Sequence, residues 1–115
     1  MSISEPMNSR QTGNIYSSLP VQFENEQFED LVRSQNVRIE RIISNGHTSP
    51  EEGWYDQIEN EWVIVLDGSG VVQFEDGIGI TLRKGDYLNI PSHAKHKVTW
   101  TDPNNITVWL AVFYS

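Results

Sequence analysis

The chain has no cysteine, which removes disulfides, thiolate nucleophiles and every cysteine-based zinc site. Histidine is scarce: His47, His93 and His96 are the only three in 115 residues. Metal or acid–base chemistry must therefore rest on those three together with carboxylates, amides and phenols. Positive charge is scarce too. Eight Lys and Arg stand against sixteen Asp and Glu, for a net charge of −8. Such a chain repels a phosphate backbone, so no nucleic-acid partner is expected. No apolar stretch approaches the roughly 20 residues of a membrane span, and the opening MSISEPMNSRQTGN lacks the basic and apolar regions of a secretory signal. The expected location is cytoplasmic, with no membrane partner.

What is present fits one domain. Residues 1–14 are polar and unpatterned and read as a mobile N-terminal tail; residues 15–115 read as a single domain. Phe28, Leu31 and Val32 recur at helical spacing, with acids early (Glu24, Glu26) and Arg33 late, which predicts a short N-terminal helix over Glu24 to Ser34. From Val37 onward the pattern becomes short strands broken by turn residues. Val37 to Ile43 stops at Ser44-Asn45-Gly46, and EWVIVL (Glu61 to Leu66) stops at Asp67-Gly68. Val71 to Glu75, Ile80 to Leu82, Tyr87 to Ile90, Val98 to Thr101 and Ile106 to Tyr114 complete the series. This is an all-β sandwich or barrel of antiparallel strands.

Two strands are apolar on both faces. Glu61, Val63 and Val65 alternate with Trp62, Ile64 and Leu66, and Val108, Leu110 and Val112 alternate with Trp109, Ala111 and Phe113. A small barrel buries only its inner face, so the outer one needs the N-terminal arm or a second subunit over it. A homodimer is the expectation.

Glu61 followed by six residues and Gly68 resembles the second half of the first cupin motif, G-X5-H-X-H-X3,4-E-X6-G. Gly85, five residues, Pro91 and then His96 resembles the second motif, G-X5-P-X-G-X2-H-X3-N. The wider wording WYDQIENEWVIVLDGSG, GDYLNIPSHAKHKVTWT and VWLAVFY is similar to a subgroup of small single-domain cupins. That resemblance implies a double-stranded β-helix (a jelly-roll barrel) around a cavity lined by inward side chains.

The chain departs from the pattern at the family's metal site. Tyr55 and Gln57 stand where the first two histidine ligands are expected, His93 replaces the glycine of the second motif, and Trp100 replaces its final asparagine. The resemblance thus implies Gln57, Glu61 and His96 as ligands of a divalent metal ion (Mn, Fe, Ni or Zn), with Tyr55 and His96 as catalytic groups. The same residues equally describe a hydrogen-bonded network without metal, since an amide oxygen is a poorer donor to first-row metals than imidazole. His93 lies in a turn, at the rim or in solvent, and His47 lies in a loop from which it can swing toward the mouth. Glu51, Glu52, Asp56, Glu59 and Glu61 make that mouth averse to anions. Trp54, Trp62, Trp100 and Trp109 supply surfaces for stacking on a ligand or for packing.

Three functions follow: a metal-assisted or cavity-based enzyme on a small organic molecule, a non-catalytic cupin binding such a molecule, or a structural dimer. Fold alone does not choose among them.

Overall fold

The computed structural model describes residues 10–115, so the first nine positions of the expected tail lie outside the described residues. Eight strands follow in order: β1 (Gln27–Arg33), β2 (Val37–Ser44), β3 (Asn60–Asp67), β4 (Ser69–Phe74), β5 (Gly79–Arg83), β6 (Tyr87–Ile90), β7 (His96–Thr101) and β8 (Thr107–Tyr114). They form a five-stranded sheet in the order β1-β2-β8-β3-β6 and a three-stranded sheet in the order β5-β4-β7. All pairings are antiparallel. The two sheets close on each other as the jelly-roll barrel that the motifs imply.

The expected helix over Glu24 to Ser34 is corrected. Among the described residues there is no helix, and the segment instead forms strand β1, paired with β2 from Gln27↔Ile43 to Arg33↔Arg38. A bulge between Asp30 and Val32 shifts the register. It therefore puts Phe28 on the inner face and Val32 on the outer one, and a strand apolar on both faces with one extra residue mimics the three-to-four spacing of a helix. The tertiary pairing overrides the local propensity.

The core lies between the sheets. Val63, Val65, Ala111 and Phe113 of the large sheet meet Val72 and Leu82 of the small one, all nearly or fully buried. Each of the valine, leucine and phenylalanine side chains contributes about 1.5–3 kcal/mol by leaving water. The β3–β4 corner needs a glycine. Gly68 has φ 80°, and a Cβ there would lie 2.7 Å from Thr107 Cα and 2.8 Å from the Ile106 carbonyl, so a side chain would break the turn that aligns the two sheets.

Candidate functional site

Between the sheets lies a cavity of about 160 Å3. The register explains which side chains enter it. Glu61 pairs with Phe113, Val63 with Ala111 and Val65 with Trp109, and all six face inward. Trp109 also pairs with Ile42, and Ile42 with Phe28. Glu26 precedes Phe28 by two residues, so it shares that inner face. Its partner row, Ser44 with Thr107, is six residues along β8 from the Phe113 row. Glu61 and Glu26 thus stand at opposite ends of the inner face, roughly 20 Å apart along the strand direction at about 3.3 Å per residue.

At the first end the sequence motifs converge. His96 is 4% exposed and Glu61 8%, and His96 Nε2 stands 3.4 Å from Glu61 Oε1. His96 Nδ1 donates to the Ala94 carbonyl at 2.8 Å, which fixes the ring and leaves Nε2 as the nitrogen facing Glu61. Gln57 Nε2 donates to the same Glu61 Oε1 at 3.1 Å. Tyr55 is held by its backbone: its N–H donates to the His96 carbonyl at 2.8 Å and its carbonyl accepts from the His96 N–H at 3.2 Å. The two rings lie 5.7 Å apart, and Tyr55, 43% exposed, stands at the mouth. Burial works against the charged form of His96, but the Glu61 hydrogen bond, the Ala94 carbonyl and the Glu61 charge together raise its pKa above the ordinary value.

The second end is also polar. Ser44, fully buried, donates to Glu26 and accepts from Trp109 Nε1 at 3.2 Å. Burial pushes the Glu26 carboxyl above its ordinary pKa, against the pull of the Ser44 hydroxyl and nearby His47. Trp109 fits against Gly70, where a Cβ would come within 2.5 Å of the indole ring. Glu40, the third carboxyl of the lining, is paired with Arg38, whose guanidinium also bonds Glu59 at 2.9 Å and stacks 3.8 Å over the Phe113 ring. Among the described residues lining the cavity there is neither lysine nor arginine.

The structure therefore brings Tyr55, Gln57, Glu61 and His96 together and leaves the other two histidines outside the cavity. His93 adopts φ 62°, keeping the left-handed turn that the motif's glycine would make. Its Nδ1 meets Asp56 at 2.7 Å in solvent. His47 Nδ1 accepts the Asn45 N–H at 2.9 Å, so Nε2 carries the proton and donates to the Glu24 carbonyl at 2.9 Å. With Phe23 against its ring, centroids 4.9 Å apart, His47 pins the segment that delivers Glu26. Of the four tryptophans only Trp109 lines the cavity. Trp62 stacks on Tyr87 outside, and Trp54 lies under Lys97. Sequence reasoning missed Glu26, Phe28, Glu40 and Ile42. A strand reading of EQFEDLV would have put Glu26 and Phe28 on one face.

The family resemblance implies a metal here, and the donor chemistry tests it. Among the described residues no group of three His, Cys, Asp or Glu side chains converges. Glu61 and His96 supply one oxygen and one nitrogen, and Gln57 presents an N–H donor to that same oxygen. Two strong donors and an inward amide N–H do not match the three or four ligands of a first-row metal centre. The residues as placed do not fit the ion.

Comparison with known proteins gives the chain its family. The sequence profile described as Cupin domain matches residues 42–113. A Ralstonia eutropha JMP134 protein, provisionally named mannose-6-phosphate isomerase, is 41% identical, with 92% of this chain and 99% of that one covered and a TM-score of 0.89. A cupin superfamily protein from Desulfitobacterium hafniense DCB-2 shares the fold at 17% identity, 92% and 93% coverage and a TM-score of 0.73. An RmlC-like cupin from Desulfovibrio desulfuricans does so at 17% identity, 91% and 97% coverage and a TM-score of 0.71. Among curated proteins none matches. With both motif halves in register on β3 and β6–β7, and the profile spanning β2 to β8, this chain belongs to the cupin family.

Proposed function

We propose that the chain binds a small neutral or cationic organic molecule in this cavity and exchanges a proton with it through His96 and Glu61. The observation that carries this reading is the buried His96–Glu61 pair facing an otherwise largely apolar space. The volume of about 160 Å3 has room for a small organic molecule. Because Nδ1 is committed to Ala94, Nε2 is the one ring position that can hand a proton to an entering oxygen or nitrogen, and Glu61 holds the charge that the proton leaves or meets. Tyr55 at the mouth offers a hydroxyl donor. The chemistry is metal-independent in this reading; a divalent ion on Gln57, Glu61 and His96 would need the Gln57 amide turned oxygen-inward.

Charge narrows the ligand class. Glu40 is matched by Arg38 and Glu61 by His96, so the carboxyl of Glu26 leaves the cavity without surplus positive charge. An anion entering it meets no counter-charge. This argues against carrying over a sugar phosphate from the Ralstonia protein's name.

Thermal unfolding of chelator-treated protein with benzylamine, benzyl alcohol, benzoate and mannose 6-phosphate as probes tests both points. Benzylamine and benzyl alcohol raise Tm, the two anions do not, and His96→Ala abolishes the rise. Equal stabilisation by benzoate, or an unchanged response in His96→Ala, overturns the reading.

A further inference from the structure

The cavity lining has a second polar end that the His96–Glu61 chemistry does not use. On the inner face, the row of Arg38, Phe113 and Glu61 is followed by Glu40, Ala111 and Val63, then by Phe28, Ile42, Trp109 and Val65. Beyond them, at the Ser44–Thr107 row, stands Glu26. The wall between the two ends is apolar except at Glu40, whose charge Arg38 already matches.

Glu26 is held as an acceptor. The Trp109 Nε1–H donates to Ser44 Oγ at 3.2 Å, and the Ser44 hydroxyl donates to Glu26 Oε2. Ser44 is fully buried and Trp109 nearly so, so packing fixes this relay, and the relay spends one carboxyl oxygen. Among the described residues Oε1 has no hydrogen-bond partner, and neither lysine nor arginine lines the cavity. Neighbouring His47 commits both ring nitrogens to backbone groups. A carboxylate so placed offers one negative charge and one open acceptor oxygen, a position that a desolvated ammonium fills.

Given the proton-exchanging reading of His96 and Glu61, on which this rests, we infer that the ligand class is a linear amino alcohol. Its ammonium sits on Glu26 Oε1 and its hydroxyl on His96 Nε2, with the apolar chain along Phe28, Ile42, Trp109 and Val63. Glu26 is then the residue that selects the charged end. Charge fixes the number of cations. Glu61 is matched by His96 and Glu40 by Arg38, which leaves Glu26 as the one unmatched carboxyl of the lining. One ammonium neutralises it, and a diamine brings one charge too many. Length separates this class from small amines. The end rows lie roughly 20 Å apart along the strands at about 3.3 Å per residue. Inward side chains shorten that gap, yet a three-carbon chain serves one end only.

Calorimetric titration of the chelator-treated full chain at pH 7 tests it, with 8-aminooctan-1-ol, octan-1-ol, 3-aminopropan-1-ol and 8-hydroxyoctanoate as probes. The long amino alcohol is expected to bind about tenfold tighter than octan-1-ol, the gain of a hydrogen bond between charged groups. The short amino alcohol and the hydroxy acid each bind about tenfold weaker than 8-aminooctan-1-ol. Glu26→Gln brings the long amino alcohol down to the level of octan-1-ol, whereas His96→Ala weakens both and keeps their ratio. Circular dichroism identifies any variant that fails to fold, and the wild-type ratio then decides by itself. Equal binding of 8-aminooctan-1-ol and octan-1-ol by the wild type overturns the inference and leaves the cavity reading standing, as does a tenfold ratio that persists in folded Glu26→Gln. Failure of every probe to bind overturns the cavity reading and this inference with it.

Discussion

His96 Nε2 and Glu61 Oε1 meet at 3.4 Å inside the barrel, and the same oxygen takes the Gln57 amide hydrogen at 3.1 Å. The imidazole is buried, yet its pKa is raised: burial alone would lower it, and the Glu61 and Ala94 contacts outweigh that cost. A raised folded-state value means the charged ring stabilises the fold. That contribution is fully present below the unfolded value near 6.5 and is lost as pH rises through the higher folded value. Stability measured by urea unfolding should therefore fall as pH climbs above about 6.5. Glu61→Gln should remove most of that slope and lower stability below it by about 3 kcal/mol, because the buried ring loses its charged partner. A Glu61→Gln protein that keeps the wild-type pH slope would show that another group sets it.

Glu26 responds to pH with the same sign. Burial raises its carboxyl pKa against the opposing pull of Ser44 and His47. The protonated acid stabilises the fold below the unfolded value of 4.5, and that contribution is lost as pH rises through the folded value. Glu26→Gln keeps an oxygen for the Ser44 hydroxyl and removes the charge. It is expected to raise Tm at pH 7 by a few degrees, corresponding to about 0.5–1 kcal/mol, and to leave Tm near pH 4 unchanged. A lower Tm at pH 7 would mean that the ionised form is the one the fold holds.

Gly70 is where the small sheet yields space to Trp109, with the missing Cβ position 2.5 Å from the indole. Gly70→Ala should push the ring into the cavity at a cost of about 1–3 kcal/mol. The indole would also lose its 3.2 Å bond to Ser44, so tryptophan emission should shift and probe binding should weaken together. An alanine variant with wild-type emission and wild-type probe binding would contradict this packing role.

Much of this was readable from residue order, and the failures have physical causes. Strands β2 to β8 follow from alternation punctuated by Gly, Asp, Asn and Pro, because period-two patterning and turn chemistry are local. Motif spacing points to Tyr55, Gln57, Glu61 and His96 as candidates, and the fold brings all four to the cavity lining. β1 was misread because its bulge gives an edge strand the spacing of a helix. Glu26 and Glu40 were hidden for a related reason. A carboxyl on the inner face of a strand looks in sequence like a solvated acid, and only the pairing of β1 and β2 turns it inward. His47 shows the opposite case: its loop position suggested a mobile ligand, but both ring nitrogens are spent on backbone groups.

The most direct measurement is a long-range 1H–15N NMR spectrum of the His96 ring, recorded on chelator-treated protein while Zn2+ and then benzylamine are added at pH 7. His96 Nε2 is expected to keep its resonance through the Zn2+ additions, because the pair with Glu61 and the inward Gln57 N–H do not make a metal site. Benzylamine is then expected to shift that resonance, as a ligand joins the proton-exchanging pair. A coordination shift of Nε2 at stoichiometric Zn2+, with no response to benzylamine, would overturn the metal-independent pairing of His96 with Glu61.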